Sequence, residues 1–114
     1  MVVERRDVWW ADLDEPGGSE SGARRPLLIV QADAFNRSRL RTVLAVVLSS
    51  NIGLLDAPGN VLLPSASSGL GRDAVANVVQ LVTLDRHYLI ERIGRISSSV
   101  MEQVDRGLRL VLAQ

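Results

Sequence analysis

Apolar and polar positions fall into short runs separated by loops of small residues, and the period changes only near the end of the chain. Arg5 to Leu13 carries the β-formers Val8, Trp9, Trp10 and Ala11 and is closed by Asp12 and Asp14, which predicts a first strand. Glu15-Pro16-Gly17-Gly18 opens a long loop, and Pro26 to Gln31 reads as the second strand. Asp33 to Ser38 is polar and suited to a turn or helical turn. Thr42 to Leu48 is apolar on both faces, so this third strand is expected to be central or at an interface. Asn51 to Asn60 forms a second loop, Asn60 to Pro64 a short strand and Ser65 to Gly71 another small-residue loop. Ala74 to Val82 supplies a further strand, Asp85 to Tyr88 a turn of helix, and Leu89 to Ile96 an alternating stretch. Beyond it, Met101, Val104, Leu108 and Val111 or Leu112 recur at helical spacing behind a capping box, Ser99-x-x-Glu102. Gly107 inside that helix costs about 1 kcal/mol against alanine.

The resulting expectation is a mainly β (α+β) fold: five to seven short strands in a curved antiparallel sheet or small barrel, with one C-terminal helix packed on it. A length of 114 residues fits one domain spanning 1–114. The longest clear apolar run, Val43 to Leu48, falls far short of the ~20 residues of a membrane helix. The N-terminus lacks the basic-then-apolar order of a secretory signal, so the expected location is cytoplasmic, with no membrane association. Cysteine is absent, which excludes disulfides, thiolate chemistry and cysteine metal sites.

Adjacent tryptophans in a strand point to opposite faces. One of Trp9 and Trp10 therefore belongs to the core. The other is covered by the C-terminal helix, sits in a subunit interface, or serves as a stacking platform for a base. The doubly apolar run from Val43 to Val47 and the paired tryptophans together suggest more apolar surface than one small barrel hides, and hence a two-fold dimer.

Net charge is zero, which argues against a nucleic-acid binder that relies on bulk attraction. The distribution adds more. All 13 basic residues are arginines, and Arg24, Arg25, Arg37, Arg39 and Arg41 cluster. Arginine presents a planar fork that grips phosphate through two hydrogen bonds. Arg25 is also held at a strand mouth, because a residue preceding proline is driven to extended geometry. A glycine-rich loop, Gly17 to Ala23, followed by one pinned guanidinium resembles a lid beside an anion site; an ordinary surface hairpin with a solvated arginine is the competing reading.

Other chemistry is scarce. His87 is the single histidine, so a two-histidine acid and base pair within one subunit is impossible, and the helical turn makes His87 a surface residue. No nucleophile elbow, Walker loop or dinucleotide fingerprint occurs. What remains is arginine together with the small hydroxyl residues Ser49 and Ser50, which end a buried strand and are placed to meet a ligand. RNA brings its own nucleophile, the 2′-hydroxyl, so such a set suffices to orient and stabilise phosphoryl transfer without a metal.

Several stretches resemble the MazF/PemK toxin family: Arg5-x-Asp7-Val8-Trp9-Trp10-Ala11-Asp12-Leu13, Gly18-Ser19-Glu20-x-Gly22-x-x-Arg25-Pro26, Leu28-Ile29-Val30-Gln31-x-Asp33-x-x-Asn36-Arg37, Thr83-Leu84-Asp85 and the terminal helix. The resemblance implies an SH3-like, PemK-type barrel that dimerises and cuts single-stranded RNA without cofactor or metal. It further implies 2′,3′-cyclic phosphate and 5′-hydroxyl ends, and inhibition by a MazE-like antitoxin whose tail fills the RNA groove. By position, it puts the catalytic arginine at Arg25 and the strand-end hydroxyl at Ser49. It extends RNA binding to Arg24, Ser19, Asn36, Arg37, Ser50, Asn51 and Asn77. Some members carry an arginine and an aspartate as acid and base where this chain has Asn77 and Val79. Arg25 then carries more of the chemistry, as stabiliser and proton donor, since a guanidinium is a poor base. Glu20 is the candidate base, with pairing to Arg24 as its alternative role. The loops Asp14 to Arg24 and Asn51 to Asn60 are expected to select bases.

Two other functions fit the residues. A related branch poisons DNA gyrase through a C-terminal Trp-Gly-Ile, which this chain, ending Leu112-Ala113-Gln114, lacks. A barrel that binds nucleic acid or peptide without chemistry is the third.

Overall fold

The computed structural model describes residues 2–13 and 24–114. Its strands are β1 (Asp7–Asp12), β2 (Arg24–Ile29), β3 (Thr42–Ser49), β4 (Val61–Leu63), β5 (Ala74–Asp85) and β6 (Leu89–Arg95). The helices are α1 (Asp33–Asn36), α2 (Ser65–Ser68) and α3 (Ser98–Leu112), and 3-10 turns occupy Ile52–Asp56 and Arg86–Tyr88. All neighbours pair antiparallel in the order β4-β5-β3-β2-β1-β6, and the sheet curls into a half-barrel with α3 against it.

Irregular pairing bends the sheet at two places, between β1 and β6, where the register shifts at Val8/Trp9 and Trp10/Ala11, and in β5. Val46 pairs with Leu81, but the next residue, Val47, pairs with Asn77, so Val78, Val79 and Gln80 bulge out of the ladder. A bulge bends its strand and increases the local twist. Ala74, Ala76 and Val78, before and within it, join Val8, Leu28, Val46, Leu48, Met101 and Val104 in a core beneath α3. Leu84, beyond it, joins Trp9, Ala11, Leu27, Ile29, Val43, Ala45, Val47 and Leu89 in a second core on the opposite face. Both faces of β3 are therefore covered within one chain, with Leu44 alone among its apolar residues exposed. This corrects the argument for a dimer drawn from Val43 to Val47. All of those side chains except Leu44 are buried within the chain, with the bend in β5 bringing together segments too far apart in sequence for periodicity to reveal.

β1 starts at Asp7 rather than Arg5 because Arg6 turns the chain with φ of 80°. The turn drops the Asp7 carboxylate into the protein, where Glu4 N–H (2.9 Å) and Trp9 Nε1 (3.3 Å) donate to Oδ2, while Arg92 Nε (3.1 Å) and Arg95 Nε (3.2 Å) donate to Oδ1. The bond to Asp7, aided by its charge and that of Glu4, raises the pKa of Arg95. Arg5 pairs with Asp105 of α3 and donates Nε to the Val30 carbonyl at 3.0 Å. Arg5, Asp7 and Trp9 thus fasten β1 to β2, β6 and α3.

At α3 the capping box is not formed. Ser97 is the N-cap, its Oγ accepting from Val100 N–H at 3.2 Å, and Ser99 lies inside the first turn. Gly107 is buried against Gly59, so closely that an added Cβ would lie 2.1 Å from the Gly59 carbonyl oxygen. The loops at 51–60 and 65–71 contain, respectively, the 3-10 turn and α2, two short structures that their small residues left undistinguished.

Candidate active site

The beginning of β2, the end of β3 and the beginning of β5 lie at one end of the sheet, where Ser49 pairs with Val75 and Trp10 with Pro26. A groove of about 260 Å³ opens there, lined by Trp10, Arg24, Arg25, Pro26, Leu48, Ser49, Ser50, Leu70, Arg72 and Ala74. β2 and β3 pair in the register Leu27 to Val47, Leu28 to Val46 and Ile29 to Ala45. Arg25 lies two residues before Leu27 and Ser49 two residues after Val47, and both line the groove. The groove thus brings together a guanidinium and a hydroxyl that lie 24 positions apart in sequence.

Arg25 is exposed, and among the described residues it enters no ion pair. Ser49 is partly buried and accepts from Asn51 N–H at 3.1 Å. A hydroxyl has one proton and two lone pairs, so this bond orients Oγ while leaving its proton free to donate into the groove. Asn51 itself caps the following 3-10 turn, its Oδ1 accepting from Gly53 N–H at 3.0 Å. It holds the rim in shape without lining the groove.

Arg24, Arg25, Ser49 and Ser50 are therefore the site residues that come together. Ser19 and Glu20, and with them the expected lid, lie outside the described residues. Asn36 is buried and far from the groove, at the other end of β3: its Nδ2 donates to the Gln31 carbonyl (3.0 Å) and Asp33 Oδ1 (3.1 Å), while its Oδ1 accepts from Gln31 Nε2 (2.9 Å). Arg37 follows it on that distant surface. Asn77 stands at the bulge, accepting from Asn60 Nδ2 (3.2 Å) and donating to Gln80 Oε1 (2.9 Å), and does not line the groove. Val79 beside it is 65% exposed.

The structure adds two groove residues. Trp9 is buried in the second core, and Trp10 is the ring that lines the groove rather than being covered by α3. Arg72 contributes a third guanidinium from the turn after α2, where Gly69 and Gly71 have φ of 82° and 78°. The Gly-x-Gly-Arg sequence was a detectable sign of a sharp turn presenting a cation. Which neighbours that cation meets depends on how β4 and β5 pair.

Three arginines, two serines and an indole line one open groove, a set of groups able to grip phosphate and to stack on a base. The chain belongs to the family of PemK-like, MazF-like toxins of type II toxin-antitoxin systems, whose pattern matches residues 4–112. It is 49% identical over 112 residues to "Endoribonuclease MazF6" of Mycobacterium tuberculosis, covering 98% of both chains. It is 34% identical to "Endoribonuclease EndoA" of Bacillus subtilis, covering 99% of this chain and 97% of that protein. Among solved structures, a MazE-MazF complex from Deinococcus radiodurans superposes with a TM-score of 0.82 at 23% identity, covering 100% of this chain and 98% of that one. The curled-sheet fold is thus shared with MazF toxins.

Proposed function

We propose that the groove binds single-stranded RNA and cleaves it without a metal, using the 2′-hydroxyl of the substrate as nucleophile. The observation that supports this reading is that Arg25 of β2 and Ser49 of β3 line the same groove. In the reaction the 2′-oxygen forms a bond to the adjacent phosphorus as the bond to the 5′-oxygen breaks. The products are a 2′,3′-cyclic phosphate and a 5′-hydroxyl. Arg25 stabilises the charge that builds on the phosphoryl oxygens and is placed to protonate the departing 5′-oxygen; Ser49 donates to a non-bridging oxygen. Arg24 and Arg72 hold flanking phosphates, and Trp10 receives a base. The proton of the 2′-hydroxyl leaves to a base for which Glu20 is the candidate. The relatives' names as endoribonucleases support RNA cleavage, and their family description supports a toxin held off by an antitoxin.

The same reading includes two protein partners. A MazE-like antitoxin would inhibit by covering the groove, consistent with the solved MazE-MazF complexes. A second copy of the chain would cover the exposed apolar side chains Val79, Leu110 and Leu112. Sedimentation as a monomer at micromolar concentration would remove the dimer.

Arg25→Ala should lower RNA cleavage by about 100-fold or more, the scale of losing a principal transition-state contact, with thermal stability unchanged. Mapping new 5′ ends on total RNA is the assay, and wild-type activity should persist in EDTA. Full activity in Arg25→Ala, or loss of wild-type activity on chelation, would overturn the mechanism.

A further inference from the structure

The arginine cluster that stands out in the sequence divides in the folded chain. Arg24 and Arg25 reach the groove, whereas Arg37, Arg39 and Arg41 lie on the segment between α1 and β3, at the opposite end of β3. At ~3.3 Å per strand residue, Thr42 and Ser49 are roughly 23 Å apart, so these arginines cannot touch a phosphate held by Arg25. All three are exposed, and among the described residues none forms an ion pair.

Their surface is built rather than loose. Arg86 donates through Nε to the Leu40 carbonyl at 2.9 Å, and through one terminal nitrogen to the Asn36 (2.7 Å) and Phe35 (3.3 Å) carbonyls. Its own N–H reaches the Arg41 carbonyl at 2.8 Å. One guanidinium thereby fixes the path from Phe35 to Arg41. Two shallow hollows flank it, one of about 490 Å³ lined by Arg41, Asp85, Arg86 and His87, the other of about 450 Å³ lined by Ala34, Phe35, Ser38 and Leu40. Phe35 is 58% exposed, and Tyr88 packs against His87 with ring centroids 4.1 Å apart and planes tilted by 35°. The two nearby carboxylates are engaged locally: Asp33 accepts from Arg5 N–H and Asn36, and Asp85 accepts from the backbone and ring of His87. Four arginines against two occupied carboxylates leave the surface net positive, and Phe35 and Tyr88 are exposed on the same segments.

We propose that this surface is a second RNA-binding site, taking the sugar-phosphate backbone of a single strand whose scissile segment lies in the groove. It rests on the reading of the groove as an RNA-cleaving site, and extends it by giving long substrates an anchor that short ones cannot reach. Guanidiniums spaced two residues apart suit successive phosphates, and Phe35 and Tyr88 offer sequence-tolerant stacking, so the anchor adds affinity without selecting bases.

The test uses Arg39→Ala/Arg41→Ala, which alters exposed side chains and leaves Arg86 in place. Binding is measured by titration in increasing salt with two 2′-O-methyl RNAs that resist cleavage, one long and one only as long as the groove. Loss of two single-strand phosphate contacts should reduce the salt slope for the long RNA by about 1.4 and its affinity about tenfold near physiological salt. The short RNA should bind as to wild type, and a short cleavable oligonucleotide should be cut at the wild-type rate. An unchanged slope with the long RNA, or an equal loss with both RNAs, overturns the second site. So does unchanged RNA binding accompanied by weaker capture of an acidic antitoxin segment, which would assign the surface to a protein partner. If wild-type protein cuts no RNA at all, the groove reading fails instead, an outcome the binding slopes keep separate.

Discussion

Replacing Gly107 by alanine separates local helix energetics from tertiary packing, because the two give opposite signs. In an isolated helix the change stabilises by about 1 kcal/mol. In the folded chain the new Cβ would lie 2.1 Å from the Gly59 carbonyl oxygen and 3.2 Å from Val78 Cγ1, where ordinary contact begins at 3.4 Å. The nearer obstacle, the Gly59 carbonyl, is backbone, which no rotamer change relieves. Either α3 or the loop at Gly59 must retreat by more than an ångström, and Met101 and Val104, both buried, lose contact with the core if α3 moves. Overpacking of this kind costs about 3 kcal/mol, so after the helical gain the net loss is about 2 kcal/mol. For a chain of this length that lowers Tm by roughly 8 °C. Thermal unfolding of both proteins at one concentration is the assay. A variant that melts at or above the wild-type temperature would refute the close approach of Gly59 and Gly107, and with it the docking of α3.

Three more outcomes follow from other parts of the molecule. Asp7→Ala strips two guanidiniums of a shared buried acceptor, and with Arg92 and Arg95 partly solvated the expected loss is about 2 to 3 kcal/mol, read as a lower urea midpoint; an unchanged midpoint would contradict the hub. Ser49→Ala should slow cleavage about 10- to 100-fold and Ser49→Thr should restore most of it, while equal activity in Ser49→Ala would remove the hydroxyl from the reaction. The Arg5 backbone N–H, with help from Asn36, holds the Asp33 pKa below its ordinary 3.8. Its contribution is therefore complete above that value and lost as pH falls through the lower folded one. The stability gap between wild type and Asp33→Asn should be widest near neutral pH and should narrow in acid, and a gap independent of pH would exclude this role.

Strand and helix identities were legible because they depend on neighbours. β-formers closed by Asp12 marked β1, the apolar run behind Pro26 marked β2, a run apolar on both faces marked β3, and the 3.6-residue period marked α3. Element ends were less legible. Arg6 adopts positive φ because Asp7 has four donors to meet, and Ser97 displaces Ser99 as the cap through the way β6 delivers the chain into α3.

The sequence by itself determined the kinds of elements and the pinning of Arg25 by Pro26; through the family motif it also pointed to Ser49. Such information is carried by adjacent residues and by periodicity. Only the tertiary structure decided that Arg72 and Trp10 join that pair, that Arg37, Arg39 and Arg41 form a separate surface, and that Gly107 is required by a neighbouring carbonyl. Those outcomes follow from strand register and from the bulge in β5. Both are fixed by contacts between segments far apart in the chain, whose energies no local window contains.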